Sequence, residues 1–174
     1  EEKPVYGVVE GETVKQIEGS PFARYTITGT DYNLSSLKIL PPCEPSKIIG
    51  IGLNYKDHAE EQKARIPDVP MIFAKFPNTV IGPKDEITWD AKVTSKVDFE
   101  GELAVVIGSR IYNCHERETL KAVFGYTCAN DVSARDLQFS DIQVLRGKTL
   151  DTFCPLGPWI VTGDEIPNPN LLNV

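Results

Sequence analysis

KVDFEGELAVVIG (residues 96–108) is the stretch on which the reading of this chain turns. In a β-strand, residues two apart share a face, which places Asp98, Glu100 and Glu102 on one side. The run continues as Leu103 to Ile107 without a polar break, the mark of a strand buried on both faces. Carboxylates at the mouth of such a strand repel one another and lose hydration unless something neutralises them. A hard divalent cation with oxygen ligands is a natural partner. The pattern alone leaves a second reading open, in which the acids face water at the half-exposed end of an amphipathic strand. Asp131 follows the apolar run FGYTCAN (124–130) directly, so a third carboxylate stands at a strand end.

Working outward, residues 4–16 (PVYGVVEGETVKQ) alternate and break at Glu10-Gly11-Glu12, which predicts a β-hairpin. A polar, Gly-rich stretch follows and ends in a short apolar run, Leu34 to Leu40. Pro41-Pro42-Cys43-Glu44-Pro45 then predicts a rigid extended linker. This divides the chain into a small N-terminal β module with its linker (1–46) and a main domain (47–174). In the main domain, Lys47 to Leu53 predicts a buried strand. Asn54 and Asp57 are good helix N-cap types ahead of a short helix over 57–62. Further strands are expected at Met71 to Phe76, Thr79 to Ile81, Phe124 to Asn130 and Trp159 to Thr162, with a helix at Glu116 to Val123. Many short strands with one or two helices predict a β-rich mixed α+β fold, not a doubly wound α/β one.

The 174 residues include 41% hydrophobic and 25% charged, ordinary for a globular protein, and 13 Gly with 13 Pro favour turns over long helices. A net charge of -7 argues against nucleic acid or an anionic membrane as the main partner. No apolar run approaches the roughly 20 residues that span a bilayer. Cys43, Cys114, Cys128 and Cys154 show neither zinc-site nor disulfide spacing, and Cys114-His115 reads as a surface loop. Glu1-Glu2-Lys3-Pro4 lacks the apolar segment of a signal peptide, so a reducing cytoplasm is the expected location.

Four other side chains carry possible chemistry. On a helix His58 and Glu61 share a face, as a base and its orienting carboxylate would, or as two inert exposed residues would. Arg135 by itself reads as a salt-bridge partner of Asp131 or Asp136. Lys148 by itself reads as a surface lysine, and Gln138 carries no signal of its own.

Four blocks then bring a resemblance: IIGIGLNYKDHAEE (48–61), KVDFEGELAVVIG (96–108), GYTCANDVSARDLQ (125–138) and KTLDTFCPLGPWIVTGDEI (148–166). In that order they resemble the fumarylacetoacetate hydrolase family from about Lys47 to Val174, and the first 46 residues resemble its small leading domain. The resemblance implies a β-roll and a Mg²⁺ or Mn²⁺ site (Ca²⁺ in some crystals) formed by Glu100, Glu102 and Asp131. It implies a water-activating His58–Glu61 dyad on a mobile lid, and substrate contacts from Arg135 and Gln138. It also makes Lys148 a pocket lysine beside the metal, able to stabilise an enolate, and leaves Asp98 in a supporting role. Val144 departs from an aromatic common in bacterial relatives. The family pattern extends past Val174 through more strands and a Gly-Thr-Pro type loop, so the C-terminal part is expected to be lacking here. A homodimer is a further expectation from the resemblance.

The first function expected is metal-dependent C–C hydrolysis of acylpyruvate-like β-diketo acids, giving pyruvate and a carboxylic acid. The second is oxaloacetate decarboxylation or isomerisation of a 2-hydroxyhepta-2,4-diene-1,7-dioate type substrate on the same metal. The third is a non-catalytic module that binds a metal or a small 2-oxo acid.

Overall fold

The structure, a computed structural model, describes residues 3–174. Its strands are β1 (Gly7–Glu10), β2 (Thr13–Gly19), β3 (Tyr25–Asn33), β4 (Ile48–Gly52), β5 (Met71–Lys75), β6 (Val80–Ile81), β7 (Val97–Asp98), β8 (Gly101–Ile107), β9 (Val123–Asn130), β10 (Ser133–Ala134) and β11 (Cys154–Thr162). Four short α-helices accompany them: α1 (Lys56–Glu61), α2 (Glu116–Thr119), α3 (Arg135–Ser140) and α4 (Leu145–Lys148). The expected β-rich mixed class is what is found. The described chain forms two compact units. One is built from the N-terminal segment to Ile39 with Val105–Tyr126 and Val161–Pro167, the other from Leu40–Ala104, Thr127–Ile160 and Asn168–Val174.

In the first unit, β1 and β2 pair as the predicted hairpin, Glu10 opposite Thr13 across Gly11 and Glu12. The polar stretch after it is a strand, not the unassigned segment of the sequence reading. Residues of β3 pair with β2 from Gly19↔Tyr25 to Thr13↔Asn33. Every residue of β3 is exposed. With neither face buried, no apolar alternation was available to announce it.

In the second unit, β4 and β5 form a two-stranded antiparallel ribbon with Gly50 opposite Phe73. A Cβ at Gly50 would lie 2.2 Å from the Phe73 ring, so only glycine lets that ring lie across the strand. The strand expected to be buried here is not. Ile49 and Ile51 are 62% and 40% exposed, because one face of a two-stranded ribbon has no layer over it. Asn54 and Asp57 do not cap the next helix. The N-cap of α1 is Tyr55, without a side-chain bond, and Asp57 lies inside the first turn.

Two more corrections concern the opening stretch. Residues 97–107 are two strands, β7 and β8, separated at Phe99-Glu100, so Asp98, Glu100 and Glu102 do not share one uninterrupted strand face. Nor is β8 buried on both sides. It is the edge of a four-stranded sheet ordered β6-β11-β9-β8, and Val105 and Ile107 are half exposed. The core of the second unit lies around Val132, Ala134, Leu137 and Phe153, with Ile87, Val97 and Leu150 packed on it.

Candidate functional site

The site is assembled by two motifs that pair with each other. β7 and β10 are antiparallel, Asp98 opposite Ser133 and Val97 opposite Ala134. The Arg135 N–H donates to the Lys96 carbonyl at 2.8 Å and the Asp131 N–H to the Glu100 carbonyl at 2.8 Å. The Glu100 N–H in turn donates to the Asn130 side chain at 3.0 Å. The break before β8 therefore positions Glu100, because the N-D dipeptide (130–131) clamps its backbone from both sides. Along 131–135 the alternation is strict. Val132 and Ala134 enter the core, while Asp131 and Arg135 carry the charges.

Lysine 148 arrives from α4. A Cβ at Gly147 would lie 2.8 Å from the Gln138 nitrogen and 2.9 Å from the Ala134 carbonyl, so glycine there allows α4 to close on α3. Lys148 then runs inward, with its residue only 2% exposed. This overturns its reading as a surface lysine. Its Nζ donates to Glu100 Oε2 at 2.7 Å and to Asp131 Oδ2 at 2.7 Å. It also stands 5.2 Å from the centre of the Phe73 ring.

The remaining contacts extend this into an alternating row of charges. Lys75 Nζ donates to Asp131 Oδ1 at 2.6 Å and to the Val132 carbonyl at 3.1 Å. Arg135 pairs with Glu100 Oε1 through Nη1, donates from Nη1 to Gln138 Oε1 at 2.9 Å, and donates from Nε to Asp98 Oδ2 at 3.0 Å. The partners of Arg135 are thus Glu100 and Asp98, not the Asp131 or Asp136 read from the sequence. Burial alone would raise the Asp131 pKa, but Lys75 and Lys148 outweigh it and hold the carboxyl below its ordinary value.

Glutamate 102 is the odd member. Loss of hydration raises its pKa and repulsion from Glu100 and Asp131 adds to the rise, with the Lys148 charge and a hydrogen bond from Tyr55 working against it. Four carboxylates (Asp98, Glu100, Glu102, Asp131) face three cations (Lys75, Arg135, Lys148). Lys75 and Tyr55 were not singled out in the sequence. The one signal for Lys75 was a lysine ending the otherwise apolar run MIFA (71–74).

Among the described residues, no three of His, Cys, Asp and Glu converge as they would around a metal ion. The donor chemistry nonetheless fits a hard divalent cation. Glu100, Glu102 and Asp131 offer only oxygen and interact electrostatically, and together with Asp98 the four carboxylates carry one negative charge beyond what the three cations neutralise.

The structure keeps the other predicted pair at the surface. His58 Nδ1 stands 4.0 Å from Glu61 Oε2, with side chains 47% and 82% exposed. His58 Nε2 meets the Gln62 amide at 2.9 Å.

Residues 47–174 match the family model described as fumarylacetoacetate (FAA) hydrolase C-terminal, and residues 1–42 match one described as Rv2993c-like, N-terminal. The chain belongs to the fumarylacetoacetate hydrolase family. It is 48% identical over 147 residues to the oxaloacetate tautomerase YisK of Bacillus subtilis, covering 82% of this chain and 49% of that protein. A solved structure of 5-carboxymethyl-2-hydroxymuconate delta-isomerase from Mycobacterium smegmatis superposes with a TM-score of 0.79 at 40% identity, over 91% of this chain and 61% of the other. A solved fumarylacetoacetate hydrolase from Exiguobacterium antarcticum superposes with a TM-score of 0.77 at 35% identity, over 91% and 62%. The chain spans about half the length of the curated relatives it matches. No helix among the described residues is long and apolar enough to cross a membrane.

Proposed function

We propose that this chain carries the cation-binding half of a site that interconverts the enol and keto forms of a small 2-oxo acid, with a divalent metal held by Glu100, Glu102 and Asp131. The observation that carries the reading is the largely buried row Lys75–Asp131–Lys148–Glu100–Arg135, which sets three cations, Lys75, Lys148 and Arg135, on two of the carboxylates proposed for the metal, Asp131 and Glu100. Tautomerisation moves one proton between the C2 oxygen and C3 and leaves the formula unchanged. It needs a stabilised oxyanion at C2 and no attacking water. Lys148 Nζ is a buried donor able to stabilise such an oxygen, and the Arg135 fork suits a substrate carboxylate, with Gln138 fixing its plane. A bound divalent ion would supply Lewis acidity and a template for the oxo acid oxygens. The names of relatives such as the tautomerase and the delta-isomerase support the same class of chemistry.

Hydrolysis of an acylpyruvate, the first function expected from the sequence, stays as a second reading because His58 and Glu61 do face each other on α1. Its reach toward water activation depends on a pair that is exposed and stands 4.0 Å apart, beyond hydrogen-bond distance. One experiment separates the readings: oxaloacetate enol, acylpyruvates and fumarylpyruvate assayed with Mg²⁺, Mn²⁺ or EDTA, for the wild type and His58→Ala. Enol-to-keto conversion that stops in EDTA and survives His58→Ala is the expected result. Full activity in EDTA would remove the metal from the proposal. Acylpyruvate cleavage abolished by His58→Ala would favour hydrolysis.

A further inference from the structure

Lys148 and Lys75 both sit on Asp131, but different things hold them. Lys75 is fixed from two sides, by Asp131 Oδ1 at 2.6 Å and by the Val132 backbone carbonyl at 3.1 Å. The hydrogen bonds of Lys148 go to two carboxylate oxygens, Glu100 Oε2 and Asp131 Oδ2, each at 2.7 Å. Both belong to residues in the proposed metal set. A Mg²⁺ or Mn²⁺ ion bonds carboxylate oxygen at about 2.1 Å, so an ion on these same oxygens would stand within roughly 5 Å of Nζ. A double and a single positive charge that close, away from bulk water, repel strongly. The ring face of Phe73, 5.2 Å from Nζ, offers the ammonium a neighbour that attracts cations without being a ligand.

We infer that the Lys148 ammonium is an exchangeable internal cation: it holds Glu100 and Asp131 together in the metal-free protein and competes with the divalent ion for them. This rests on the metal reading above and adds to it. Without such a counter-charge, two carboxylates would stand close together in a half-buried pocket, a costly arrangement. The ammonium keeps the site folded before loading, and it lowers the affinity of the loaded site. The same lysine then remains beside the metal as a donor for substrate oxygen.

The inference reverses the usual expectation for removing a site residue. Lys148→Met and Lys148→Gln, made in the full chain, should bind Mn²⁺ more tightly than the wild type, by roughly tenfold or more. Binding is read from loss of the free Mn²⁺ electron paramagnetic resonance signal on titration, independently of turnover. Thermal melts with and without Mn²⁺ give a second readout. The rise in Tm on adding Mn²⁺ should be larger for both variants than for the wild type. Equal or weaker binding by the variants would overturn the exchange, as would a variant that stays unfolded in saturating Mn²⁺. If neither wild type nor variants bind Mn²⁺, the metal reading itself fails. If the wild type binds and the variants bind no better, only the competition fails.

Discussion

The buried charge row and the exposed α1 pair differ in what organises them. On one side, Lys75 and Lys148 have side chains only 3% exposed and each carboxylate oxygen of Asp131 has its own ammonium. On the other, His58 and Glu61 lie on a six-residue helix with no side-chain cap and meet only loosely. Six residues of helix are too few to be stable by propensity, and only Ala59 of α1 is buried. The difference teaches that precise chemistry here is bought by the core. Val132, Ala134 and Leu137 pin the backbone from which Asp131 and Arg135 project, whereas nothing comparable pins the imidazole.

The sharpest way to break that comparison is to remove one cation from the buried row. Lys75→Met leaves Asp131 inside with only one ammonium, and about 3 kcal/mol of stability should be lost, measured by urea denaturation. Adding Asp131→Asn in the same chain should restore a large part of the loss, since the unpaired charge goes with it. A cost for Lys75→Met below about 1 kcal/mol would mean that water reaches Asp131 and that the row is not organised by burial.

Lys75 also shows where sequence reading stops. Its partner Asp131 is 56 residues away, and no local pattern encodes a pairing made by tertiary packing. Lys148, 17 residues from Asp131 and 48 from Glu100, looked like a loop lysine until the family blocks placed it. The legible part was local. The 10–13 hairpin, β9 and the adjacency of acids to an apolar run all follow from alternation and turn residues. The illegible part had lost its periodic signal for physical reasons. An edge strand with both faces in water, β3, has no reason to alternate. The break at Phe99-Glu100, just ahead of Gly101, is held by bonds supplied by Asn130 and Asp131, some 30 residues away in sequence. The fold class and the family were therefore readable, and the neutralisation of the acids by lysines was only half readable.

The exposed side of the comparison predicts a much smaller effect. His58→Ala should change stability by no more than about 0.5 kcal/mol, because the side chain is half exposed and its polar partners, Glu61 and Gln62, are themselves on or next to the same short helix. The same urea titration checks it. A cost above about 1 kcal/mol would show that α1 is packed more firmly than its burial pattern indicates.

Asp136 offers the finest test, since it lies near the surface yet is held by fixed partners. Its carboxylate accepts from the Thr94 hydroxyl at 2.5 Å and from the Ser95 N–H at 3.1 Å. The Thr94 bond foremost, with the backbone N–H groups of Ser95 and Leu137, holds its pKa below the ordinary value. In the unfolded chain an aspartate titrates near about 3.9. A depressed folded value means that these bonds contribute in full above that pH and are lost as pH falls through the folded value. Asp136→Asn removes the charged acceptor at every pH. Wild type and variant should therefore differ slightly in Tm at neutral pH, and the gap should close below about pH 4 as the wild-type carboxyl takes up its proton. Thermal melts between about pH 7 and pH 2.5 follow the gap directly. A gap that persists unchanged at the acid end would assign the difference to amide geometry, and charge would then matter only in the buried row.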